Sequence, residues 1–146
     1  MKKLTRAQRK RKRLRELDGA FSGILGAELV KNGDFATDPS VDWTITGSWT
    51  WNEPKELMDN SNTAGNLEQS IAISDTKSYL LEFDVIGVFG FNGLQVVFSN
   101  SAIFVKKTGR WSGLVKAGTN AIIKFNPQSA GTFEGILDNV SVREIL

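Results

Sequence analysis

An all-β sandwich or barrel, preceded by a basic arm that is partly helical or extended, is what the patterning of this chain predicts. From Glu28 to Leu146, short apolar or alternating runs follow one another at regular spacing, each closed by turn-forming residues. Nothing in that stretch keeps helical spacing for more than two turns, and ELMDN (residues 56–60) is its one helical candidate. Nine of the 18 Lys and Arg residues fall within residues 1–15, where no acid occurs. The chain of 146 residues therefore divides into an arm and linker, 1–27, and a body, 28–146.

In the arm, Leu14, Leu17, Phe21 and Ile24 recur at spacings of 3, 4 and 3, which is one stripe of a helix over residues 4–25. Gly19, Gly23 and Gly26 weaken that helix by about 1 kcal/mol each relative to Ala. A stripe so short does not hold a helix alone in water. The arm thus reads as a segment that orders against a partner, with Arg9, Arg11 and Arg13 as its charges and Leu14, Leu17 and Phe21 as apolar pins.

The body reads as ELVKNGDF, DWTITGSWTWN, NLEQSIAI, SYLLEFDVIG, GLQVVFS, WSGLVKAG, NAIIKFNP and GILDNVSVREIL, all strand-like. NG, SNTAG, SDTK, FNG, KKTG, AGTN and PQSAG punctuate them. Alternation is clear where Leu80, Glu82 and Asp84 oppose Leu81, Phe83 and Val85. It is looser in the last run, where Ile136, Val140 and Val142 alternate imperfectly with Asp138, Ser141 and Arg143.

Composition excludes several kinds of chemistry. With no Cys and no His, disulfides, thiolate metal sites, Cys–His or Ser–His catalysis and imidazole ligation have no residues to use. There is no GxSxG, and GVFGFNG lacks the Lys and the following helix of a phosphate loop. Paired carboxylates for glycoside hydrolysis need a cleft that sets their pKa values apart, which a sandwich this small rarely has. The reading is non-enzymatic. No run of about 18 apolar residues is present, so no membrane-spanning helix is expected, and FSGILGAELV is too short, interrupted and late for a secretory signal. Residues 16–146 carry nine basic and sixteen acidic side chains, a charge of −7, so the basic pI belongs to the arm. Such a body repels a duplex, and nucleic acid is the disfavoured partner even for the arm.

ELVKNGDFATDPSVDW, KKTGRWSGLVKAGTNAIIKF and GTFEGILDNVSVREIL together resemble the galactose-binding-like jelly roll of family 4/9-type carbohydrate-binding modules, over residues 28–146. Compact versions of this module occur in tailed-phage virion proteins. The resemblance implies that NGDF and LDNVSV lie side by side, and that Asp34 and Asp138 stand where such modules often hold a structural calcium ion. Two carboxylates would need carbonyls and water to complete six to eight oxygens; otherwise Asp34 stabilises the Asn32-Gly33 turn and Asp138 caps a bulge. No other cofactor is implied.

The same resemblance implies saccharide binding by stacked rings. Trp49 and Trp51 are two apart and share one strand face, with Trp43 nearby. On the outer face they form a stacking platform; on the inner face they are core. Trp111 and Tyr79 complete the set of available rings, Trp111 reading as core or edge packing. Asn66, Glu68, Gln69, Gln95 and Asn100 either supply hydrogen bonds or line an ordinary solvated sheet. The expectation is a structural virion protein of a tailed phage, assembled in the host cytoplasm and carried on the capsid or tail exterior. It would be a capsid decoration protein fixed to a major capsid protein by its arm, and a homo-oligomer, with a trimer expected because closed symmetric assemblies are usual. The alternatives are a tail or fibre adhesin binding host-surface glycan, and a small-virus coat with a nucleic-acid-binding arm.

Overall fold

A computed structural model of the chain describes residues 5, 6, 8, 9, 24–90, 93–128 and 132–146. Period-two alternation shapes what is seen. Among the described residues the strands are β1 (Leu25–Glu28), β2 (Thr44–Ile45), β3 (Trp49–Asn52), β4 (Leu57–Ser61), β5 (Leu67–Ser70) and β6 (Ser78–Phe89). They continue with β7 (Leu94–Phe98), β8 (Ser101–Val105), β9 (Gly109–Lys116), β10 (Ile122–Asn126) and β11 (Phe133–Ile145). One antiparallel sheet runs β3-β4-β11-β6-β9, with β1 paired to β11; the second runs β2-β5-β10-β7-β8. The architecture is a β-sandwich, and from β4 to β7 each successive strand changes sheet.

The inner faces meet in one core. β6 sends Tyr79, Leu81, Phe83 and Val85 inward, β7 sends Leu94, Val96 and Phe98, and β10 sends Ile123 and Phe125. The Phe83 and Phe125 rings meet edge to face across the sheets at 5.2 Å, the geometry aromatic quadrupoles prefer. Tyr79 is wholly inside and spends its hydroxyl on the Ser74 N–H at 2.8 Å.

Three segments depart from the sequence reading. ELMDN is not helical: a single 3-10 turn, Glu53–Lys55, ends at Glu56 in the left-handed region (φ 51°), and β4 starts there. Met58 and Asn60 then face inward while Asp59 faces out, a strand period that two apolar residues in five could not announce. The DWTITGSWTWN run is broken at Gly47 (φ 69°), so its halves become β2 and β3 in different sheets. A Cβ at Gly47 would stand 2.1 Å from the Ala64 carbonyl oxygen, so only glycine allows this crossing. Finally, SAIFV forms the edge strand β8, and NGDF lies in a loop after β1 rather than in a strand.

The loose alternation of the last run has a local cause. Between Asp138 and Ser141 the register against β6 slips by one residue, with Asn139 at φ 51°. This bulge keeps Leu137, Val140 and Val142 inward on both sides of the slip. Ile136 consequently turns outward, on the side of Asp138, Ser141 and Arg143.

Candidate functional site, a charged cleft on the outer sheet face

The bulge places charge on the outer face of the β3-β4-β11-β6-β9 sheet. On β6, the residues alternating with the core are Glu82, Asp84, Ile86 and Val88. Arg110 on β9 pairs opposite Asp84 and reaches both acids, with Nη2 2.7 Å from Glu82 Oε2 and Nη1 3.3 Å from Asp84 Oδ1. Ser112 donates to the second Glu82 oxygen at 2.9 Å. Asn139 at the bulge donates to Asp84 Oδ2 at 2.7 Å, which ties β11 to the same group. Asp138 caps the Asn139 N–H at 2.7 Å. Glu82 is only 7% exposed, so this is a buried charge held by a guanidinium and a hydroxyl.

A cleft of about 470 Å³ opens over this network, walled by Asp84, Arg110, Asp138 and Asn139, with Ile86 and Ile136 on its apolar side. Arg6 and Arg9 form part of its wall. The described part of the arm explains their placement. Thr5 Oγ1 accepts the Gln8 N–H at 3.2 Å while Gln8 Oε1 accepts the Thr5 N–H at 2.9 Å, a reciprocal capping box. The Arg9 N–H donates to the Thr5 carbonyl at 2.9 Å and closes the first helical turn. Arg6 and Arg9, three apart, therefore share one side of that turn. The Arg6 guanidinium lies 3.9 Å from the Asp138 carboxylate.

The other expected residues fall elsewhere. Trp43 and Trp49 are each 3% exposed and lie in the core. Their indole N–H groups are taken by backbone, Trp43 by the Lys31 carbonyl at 3.1 Å and Trp49 by the Gly65 carbonyl at 3.3 Å. Trp51, half-buried, packs against the core and donates to the Phe35 carbonyl at 3.0 Å. Of the expected glycan platform, Trp43 and Trp49 therefore take core positions and Trp51 is half-buried: β3 pairs Trp49 with Asn60 and Trp51 with Met58, both on the inner face. Trp111 is also on the inner side, stacked on Phe83 at 5.4 Å.

NGDF and LDNVSV do touch, through the Val140 N–H and the Gly33 carbonyl at 2.8 Å. Asp34, however, accepts from the Ala36 N–H at 3.4 Å, while Asp138 serves the bulge and faces Arg6. Among the described residues no group of three metal-ligating side chains is gathered. A guanidinium beside Asp138 is a poor neighbour for a hard cation needing six to eight oxygens, so this donor set does not fit calcium. Of the expected anchor residues, Arg9 lines the cleft; Arg11, Arg13, Leu14, Leu17 and Phe21 lie outside the described residues.

Glu28 carries no signature in the sequence. Its carboxylate accepts from the Val142 N–H at 2.8 Å, the Val30 N–H at 3.0 Å and the Ser141 hydroxyl, and so clips β1 to β11. Desolvation of that carboxylate raises its pKa above the ordinary 4.5, although the three hydrogen bonds pull the other way. Arg110 and Asn139 are likewise hidden, since no spacing in the sequence links positions 84, 110 and 139. The alternation of Glu82 and Asp84 with the core residues of β6 is the available signal. No helix among the described residues is long and apolar enough to cross a membrane. No protein-family model matches the chain, and no curated protein is similar to it.

Proposed function

We propose that this protein is a structural component of a tailed-phage particle, a capsid decoration protein whose arm fixes a galactose-binding-like jelly roll to the capsid exterior. The observation that carries the reading is the separation of charge: nine cationic residues within 1–15 precede residues 16–146, whose net charge is −7. A polycation interleaved with Leu and Phe suits a groove on another protein better than bare phosphate. The alternation of successive strands between two antiparallel sheets is compatible with a jelly roll. The inward tryptophans weaken the glycan-adhesin reading, because rings 3% exposed have no free face for a sugar. Removal of residues 1–26 tests the anchor. Particles assembled with the truncated protein are expected to lack it by mass spectrometry and electron microscopy, whereas normal incorporation would sink the proposal.

A further inference from the structure

We propose that the outer face of the β3-β4-β11-β6-β9 sheet is a docking surface for an arginine-rich segment, and that its occupant is the arm of the same chain. The face has the matching chemistry. By register Glu82, Asp84, Asp138, Asp59 and Glu134 lie on this side, and they outnumber its cations Arg110, Arg143 and Lys116. Beside them Ile86 and Val88 are 55% and 74% exposed, an apolar strip next to the acids. Such a surface fits a segment that mixes Arg with Leu, as QRKRKRLREL does.

Arg6 and Arg9, in the described part of the arm, already stand at this cleft. The capping box sets them on one side of a helical turn, and both line the cavity that contains Asp84 and Asp138. In the sequence Arg13 follows at the next helical spacing of four.

Chain length favours the same molecule over a second copy. The arm rejoins the body at Ile24, whose carbonyl accepts the Leu146 N–H at 2.9 Å beside the end of β11. From Asp138 to Ile145 is seven residues of strand, about 23 Å at the rise of a β-strand. Fifteen steps from Arg9 to Ile24 cover about 22 Å even at the short rise of a helix. The arm reaches its own cleft without strain, and intramolecular closure outcompetes exchange at ordinary concentrations. The inference goes beyond the anchoring reading and does not depend on it: it concerns where the arm lies in the free protein.

Limited trypsin digestion of the full chain tests it, with mass spectrometry following cleavage within residues 6–15. At about 20 mM salt the arm is expected to be cut several-fold more slowly in the wild type than in Asp138→Asn or Ile86→Lys. At about 500 mM salt, where exposed charges are screened, the three should converge. The Asp138→Asn variant keeps a side-chain oxygen to accept the Asn139 N–H, and Ile86 is exposed, so each variant retains the fold by an independent route. Equal cleavage rates at low salt in all three proteins overturn the proposal. Because the chain has no Cys, an Arg9→Cys, Thr108→Cys variant can be bridged by a short bismaleimide. A bridged monomer supports docking in the same chain; a bridged dimer, or no bridge, overturns it. Normal particle incorporation of the protein lacking residues 1–26, with the arm of the full chain protected, would strike the anchoring reading alone.

Discussion

Arg110 has most of the charge balance of the outer face on one side chain. It stands between Glu82 and Asp84, and Glu82 is nearly inaccessible to water. Removing one partner of a buried pair strands the other charge, so Arg110→Ala is expected to cost about 3–5 kcal/mol by urea unfolding. A loss below about 1 kcal/mol would mean that Glu82 is better solvated than its burial indicates. Trp43 and Trp49 make a second test at this scale. Each fills core volume and donates to a buried carbonyl, so either Ala variant should lose about 3–5 kcal/mol, and Trp51→Ala less. Equal, small losses would return the rings to the surface. Gly33 is constrained differently: a Cβ there would sit 2.0 Å from the Val140 carbonyl oxygen, where the loop after β1 crosses the bulge of β11.

Among the elements, β1 is tied to β11 by a side chain as well as by backbone pairing. Glu28 accepts three hydrogen bonds that join β1 to β11 and to the loop after it, yet burial raises its pKa. The folded state therefore holds the Glu28 proton more tightly than the unfolded chain. That contribution is complete below pH 4.5 and is lost as pH rises through the raised folded-state value. Glu28→Gln should flatten this part of the stability–pH curve, read as thermal midpoints between pH 4 and about 8. An unchanged slope in the variant would assign it to other groups. The residue as a whole stays exposed, so screening keeps the effect modest. β11 shows the opposite design. Its bulge at Asn139 uses one extra residue to bring Asp138 and Asn139 onto the outer face while Leu137 and Val140 stay inside.

For the whole molecule, charge sets the behaviour. The arm and body carry opposite signs, so association with any acidic surface should weaken with salt in the same range that releases the arm from its own cleft. Deleting residues 1–26 should also leave a soluble sandwich with an acidic pI, since the described core draws on residues 30–142. The deletion also takes Leu25 and Gly26 from β1, so a fold lost here but kept when only residues 1–23 are removed would assign the loss to the β1–β11 pairing.

Much of this is legible in the amino-acid order alone. Turn residues and period-two runs set an all-β chain, because local backbone preference and alternation act within a few residues. The charge asymmetry needs only counting. The two directions a tryptophan pair on one strand can face are equally visible, but not the choice between them, which rests on the pairing of β3 with β4. β4 itself is hidden by its brevity and by the left-handed Glu56 that launches it. The cleft is the least legible, since it joins residues 6, 84, 110 and 138 from four separate segments. Alternation specifies that a strand has an inside and an outside; only the packing of distant strands establishes which acids and which guanidinium share the outside.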